Sequence, residues 1–233
     1  MNKEMFLSEL AKLGISLTDK QIIQFEDYYN LIIEWNKKIN LTTITDIENV
    51  YLKHFYDSLT IYNIYRLNDQ KICDIGTGAG FPGIPLKIVF PNLKVTLVDS
   101  LGKRCNFLKE VINVLNLDNV EIVNERAEIF SNKNRELYDI VTARAVAPLS
   151  QLLEISIGAI KVNGYFIAMK TTNKNELENL NNCLKELSLS LEKKQEFQLP
   201  LENSNRLLLL FKKNTKTNKN YPRKYNIIKK NPL

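Results

Sequence analysis

The chain has 233 residues, 44% hydrophobic and 25% charged, with 32 Lys and Arg against 26 Asp and Glu. That length suits one full α/β core with a small appendage and leaves little room for two large domains. No apolar run approaches the roughly 18 residues of a membrane span, and Met1-Asn2-Lys3-Glu4 shows no signal-peptide pattern. Three cysteines (Cys73, Cys105, Cys183) lack C-x-x-C spacing, which points to reduced thiols in a cytoplasmic protein and to no metal site.

A short helix is expected over residues 3–13, ending at Gly14. Thr18 and Gln21 have the capping-box spacing and open a longer helix. Its apolar residues Ile22, Phe25, Tyr29, Ile32 and Ile33 recur at three- and four-residue steps and mark a buried face, with Trp35 as its anchor. After a polar stretch holding Asn40, a helix is expected from about Ile47 to Tyr65. These helices, residues 1–67, read as a cap ahead of a core spanning 68–213. The core alternates strand and helix, which argues for a parallel, doubly wound α/β sheet. Strands are expected around Ile72–Ile75, Lys94–Asp99, Val120–Val123, Asp139–Thr142 and Tyr165–Met169. Helices follow Pro82, Lys103 and Leu149, the last running to about Ile160. Leu177, Leu180, Leu184, Leu187 and Leu191 suggest one more helix. Phe197–Leu199 and Arg206–Phe211 look like a closing antiparallel hairpin whose second strand lies inside the sheet.

Charge is unevenly spread. From Asn203 onward there are nine basic residues and no acidic one, so the first 202 residues hold 23 basic against 26 acidic, a net −3. Residues 214–233 therefore read as a basic tail. Its lysines with Tyr221 and Tyr225 between them fit phosphate neutralisation plus base stacking, and equally a solvated terminus.

The chemistry concentrates after the first strand. Asp74, Gly76, Gly78 and Gly80 spell acid-x-G-x-G-x-G, and Phe81, Pro82 and Pro85 lead into a helix. A strand, a glycine turn and a helix N-terminus bring backbone N–H groups to a ligand that approaches the main chain closely. The dinucleotide fingerprint fails when counted from Gly76 and fits only from Gly78, two residues late, so S-adenosylmethionine (SAM) is favoured while NAD stays open. Asp74 would face an aminoacyl ammonium group. Asp99, 23 residues beyond Gly76, would take ribose hydroxyls with either cofactor. Ala127, Glu128 and Arg144 follow the third and fourth strands and reach the same edge. After the fourth strand there is neither an Asn/Asp-Pro-Pro-aromatic motif for an exocyclic amine nor a Pro-Cys pair for covalent attack at a pyrimidine. This favours an acceptor already nucleophilic, such as guanine N7, needing no general base.

Together these residues resemble the bacterial glucose-inhibited division protein B family, whose members methylate guanine N7 in small-subunit ribosomal RNA. The resemblance is carried by Trp35–Thr42, Lys53–Leu59, Asp74–Pro85, Val98–Ser100, Lys103-Arg104, Arg126–Glu128, Thr142–Ala147, Met169-Lys170 and Tyr221–Arg223. It implies a class I SAM-methyltransferase fold, with SAM against Gly76, Phe81, Ala127, Glu128 and Arg144. It also implies a 16S rRNA substrate within the small ribosomal subunit or its precursor, and a monomer is expected. Arg104, Lys170, Lys219, Arg223 and Lys224 are candidate RNA contacts. Asn40, His54 and Lys170 are candidates for positioning the base, His54 having a structural hydrogen-bonding role as its alternative. Asp57 is expected to pair with a lysine. Rival readings are a methyltransferase of a non-RNA acceptor, an NAD-linked oxidoreductase, and an RNA-binding assembly factor.

Overall fold

The structure, a computed structural model, describes all residues except 145–146, 172–176, 178–179 and 203. Ala145 and Val146 of the family-like segment, Asn203 and much of the N-terminal half of the leucine-rich helix thus lie outside the described residues. The N-terminal layer contains α1 (Lys3–Lys12), α2 (Asp19–Asn36) and α3 (Ile47–Val50). A π-helical turn (Tyr51–Tyr56) then leads into α4 (Asp57–Leu59) and α5 (Ile61–Ile64). Alternation follows: β1 (Lys71–Ile75), α6 (Gly83–Val89), β2 (Lys94–Asp99), α7 (Gly102–Val114), β3 (Val120–Asn124), α8 (Ala127–Lys133), β4 (Tyr138–Arg144), α9 (Leu149–Ile157) and β5 (Ile160–Lys170). The last elements are α10 (Asn181–Glu186), β6 (Leu189–Gln198), β7 (Asn205–Lys213) and α11 (Tyr225–Lys230).

One seven-stranded sheet runs in the order β3-β2-β1-β4-β5-β7-β6. Pairing is parallel from β3 through β5, and β7 enters antiparallel between β5 and β6. β7 lies inside the sheet because Leu207–Phe211 are buried on both faces. The strand order reverses beside β1, and in sheets of this kind ligands bind beyond the strand C-termini at that point.

Several local expectations shift. The capping box at Thr18 and Gln21 forms, but the buried stripe of α2 is Gln24, Phe25, Tyr28, Leu31 and Ile32. Polar side chains can face inward there because their ends are satisfied: Gln24 Nε2 donates to Leu115 O at 2.7 Å and the Tyr28 hydroxyl donates to Ala79 O. Trp35 packs on Phe107 and donates to Glu110 Oε2 at 3.1 Å. The helix expected over 47–65 is interrupted by the wider π turn, a device frequent at functional sites, and here it carries Lys53 and His54 to the end of β4. Helix α9 stops at Ile157, and the strand expected at Tyr165–Met169 is the longer β5, which already starts at Ile160. Leu191 belongs to β6 and is 41% exposed, so it is no part of the leucine-rich helix.

The largest revision concerns residues 214–233, which pack against α8 and α9. Arg135 donates to the carbonyls of Thr217, Asn218 and Tyr221 at 2.8–3.2 Å, and Asn132 to that of Pro222. Ile228 is fully buried in the core between the sheet and α9. Lys213, one of the nine basic residues beyond Asn203, ends β7 fully buried and donates to Ile157 O at the end of α9 and to Ile160 O at the start of β5.

Candidate active site

The glycine turn closes through its own backbone. Gly76 N and Thr77 N donate to Val98 O at 2.8 and 3.1 Å, and Gly78 N donates to Asp99 Oδ2 at 3.0 Å. Gly78 holds φ +61° with nothing within 4 Å of where a Cβ would sit, so its bare face opens outward. Gly80, at φ +98°, turns the other way, and a Cβ there would lie 2.7 Å from Ile84 Cγ1 and from the Tyr28 hydroxyl.

Asp74 does not border the cavity. It is fully buried, and its Oδ2 accepts from the Thr77 hydroxyl at 2.6 Å and from Gly83 N at 2.8 Å. The acid at the strand end staples the turn to the first residue of α6, and Gly80 packs toward Tyr28, Ile84 and Leu108; neither Asp74 nor Gly80 lines the cavity that the turn borders. Asp74 Oδ1 has no hydrogen-bond partner among the described residues, and burial raises the carboxyl pKa to about 6.

The cavity, of about 580 Å³, opens at the C-terminal edge of β1, β2, β3 and β4. Gly76, Gly78, Phe81, Asp99, Ala127, Glu128 and Arg144 all border it, as does His54. Asp99 is 4% exposed and accepts from Gly78 N and Leu101 N, with Arg104 Nη1 at 3.4 Å. Glu128 accepts from Arg126 Nε at 2.8 Å.

A second group of lining side chains gathers around Arg144. The Arg144 guanidinium lies 4.9 Å from the Phe81 ring, donates to Lys53 O at 3.0 Å, and sits 3.5 Å from Asp57 Oδ2. Asp57 therefore pairs with arginines rather than a lysine, since Arg206 of β7 donates to its Oδ1 at 3.0 Å. His54 stacks on Phe81 with centroids 4.5 Å apart, and its Nε2 is 2.9 Å from the Thr42 hydroxyl. Burial, helped by the Arg144 charge, pulls the His54 pKa down to about 3, so the ring is neutral at neutral pH.

Other expected residues stand outside this cavity. Asn40 is exposed in an adjoining hollow of about 540 Å³ between residues 36–40 and 100–104, which shares Ser100, Leu101 and Arg104 with the cavity. Lys170 ends β5 and donates to Ala147 O at 2.9 Å. Lys219 and Lys224 are exposed. Arg223 is not a free cation: its Nε and Nη2 each donate to the fully buried Glu154 at 2.6 Å. Thr42, and Tyr225, which the sequence offered only as a base-stacking residue of the tail, also border the cavity.

Strand order, the antiparallel β7, the glycine turn and the acid ending β2 define a class I SAM-methyltransferase fold. A SAM-dependent methyltransferase structure from Aquifex aeolicus superposes with a TM-score of 0.52 at 17% identity, over 78% of this chain and 98% of that one. Residues 21–208 match the family described as GidB, rRNA small subunit methyltransferase G. The chain belongs to that family. Ribosomal RNA small subunit methyltransferase G of Bacillus cytotoxicus is 52% identical, with all of this chain and 99% of that one aligned. The namesake from Lysinibacillus sphaericus is 47% identical over the whole of both. The chain is a methyltransferase, which removes the oxidoreductase and assembly-factor readings. Among the described residues no helix is long and apolar enough to cross a membrane, and no group of His, Cys, Asp or Glu could hold a metal ion.

Proposed function

We propose that this chain transfers the methyl group of SAM to N7 of a guanine in 16S rRNA, within the small ribosomal subunit or its precursor. The cavity suits the cofactor in size and donor set: it lies in the usual range for small-molecule sites, Gly78 has open space where a side chain would intrude, and Asp99 stands where ribose hydroxyls are accepted. Gly76, Gly78, Asp99, Ala127 and Glu128 would hold it, with Phe81 and Arg144 at the reacting end. SAM supplies an electrophilic methyl on a sulfonium sulfur.

The chain's own groups favour an acceptor that needs no activation. Guanine N7 carries a lone pair and loses no proton, so the protein's work is alignment. His54, with a pKa near 3, is a poor proton acceptor. No cysteine borders the cavity, and burial pushes all three thiols up, Cys183 to about 12, so no thiolate is available for attack on a pyrimidine. Methylation leaves a positive charge on the purine. Arg144 alone would oppose that; Asp57, shared with Arg206, lies 3.5 Å from its guanidinium and offsets part of its charge. The side of the adjoining hollow that carries the exposed Lys37 and Lys103 and the half-buried Arg104 fits RNA phosphates beside the target base.

The carrying observation is the glycine turn hydrogen-bonded to Asp99 at one cavity edge. Small subunits from cells lacking this gene, incubated with the chain and tritium-labelled SAM, are expected to carry label on a single guanine N7. Label on any other atom, or in protein, refutes the assignment.

A further inference from the structure

The C-terminal segment does more than cover α9. It is anchored by Arg223 on Glu154 and by Ile228 in the core, at points clear of the cavity. Between these anchors it delivers Tyr225 to the cavity wall, half-exposed, with the Arg126 guanidinium 4.7 Å from the ring centre. Arg126 in turn is held by Glu128. The place matters. The glycine turn takes one end of the cavity and Asp99 of β2 the middle, so a nucleoside whose ribose meets Asp99 must extend its base toward the end of β3. That end is bordered by Glu125, Arg126 and Ala127, where Tyr225 stands.

We propose that Tyr225 is the aromatic wall of the adenine subsite, and that the C-terminal segment serves the site by holding this ring there. The inference rests on the SAM reading above. An aromatic face stacks on any base, and a guanidinium over the ring fixes its orientation at small entropic cost. Because the segment's anchors lie elsewhere, replacing Tyr225 should alter binding without releasing it.

The test is calorimetric titration of the full chain with SAM, S-adenosylhomocysteine and adenosine. Tyr225→Ala and Tyr225→Leu are expected to weaken all three by roughly tenfold or more, the range of one lost base–aromatic stack, while Tyr225→Phe binds like the parent. KM for small subunits at saturating SAM should stay unchanged. Should Tyr225→Ala loosen the segment, seen as faster amide exchange over 223–231, Tyr225→Leu keeps the bulk and decides. Unchanged SAM binding in Tyr225→Leu overturns the inference, and a raised KM for subunits alone would assign the ring to RNA instead. If the parent chain binds no SAM, it is the cofactor reading that fails first.

Discussion

Removing Arg223 should show that the C-terminal segment is part of the folded core. Glu154 is fully buried and accepts three hydrogen bonds from Arg223, from N at 3.1 Å, Nε at 2.6 Å and Nη2 at 2.6 Å. The Arg223 side chain is 23% exposed, so water reaches one partner only. Arg223→Ala keeps the backbone donor but leaves a buried carboxylate without its counter-charge, a change that costs about 3–5 kcal/mol. Water reaching the gap favours the low end, about 3 kcal/mol. For a chain of this size that corresponds to a fall in Tm of roughly 6–12 °C. The double variant Glu154→Leu, Arg223→Met removes both charges and keeps similar volume, so it should recover most of the loss. Urea unfolding of the parent, both single variants and the double variant gives the coupling energy. Arg223→Ala within about 0.5 kcal/mol of the parent, the ordinary scatter for a surface substitution, would refute the account. So would a double variant no more stable than Arg223→Ala.

Two glycines of one turn should respond differently. Gly80→Ala adds overlap with Tyr28 and Ile84 to an unfavourable φ and should cost about 2–4 kcal/mol in urea unfolding. Gly78→Ala has open space and only the φ to resist, about 1–2 kcal/mol, yet its methyl enters the cavity, so calorimetry should find the larger loss in SAM affinity; equal stability losses would contradict the geometry. His54 and Asp74 should give opposite pH slopes. The folded pKa of His54, about 3, lies below its ordinary 6.5, so the unfolded chain binds more protons between these values and stability falls as pH drops through that window. For Asp74, raised from 3.8 to about 6, the folded chain binds more protons, and stability falls as pH rises from 4 to 6. Urea midpoints across pH 4–7 should therefore rise less steeply with pH in His54→Gln and more steeply in Asp74→Asn; unchanged slopes count against both. Finally, Lys103→Ala with Lys224→Ala should weaken binding to small subunits and lower the salt dependence by about one unit of slope per lysine that meets phosphate. An unaltered slope would place the RNA elsewhere.

Much of this protein is legible in the chain itself. Apolar runs set the parallel strands, a capping box starts α2, and the strand–helix–strand alternation brings Gly76 and Asp99 to one sheet edge, because such signals are read within an element or from one element to the next. What stayed hidden depends on which groups the folded chain brings together. Asp74 reads as a ligand-facing acid from its motif, but Gly83 N and the Thr77 hydroxyl, reached only once the turn closes, draw it inward. The tail reads as an RNA-binding or a solvated terminus because lysines dominate it, whereas two residues, Arg223 and Ile228, commit it to a buried carboxylate and a core that the helices and sheet must first build. Asp57 meets Arg144 and Arg206 from strands 87 and 149 residues away. Local periodicity encodes elements, because neighbours in sequence are neighbours in space. Burial of charge is settled only where distant segments meet, because desolvation and pairing are properties of that meeting.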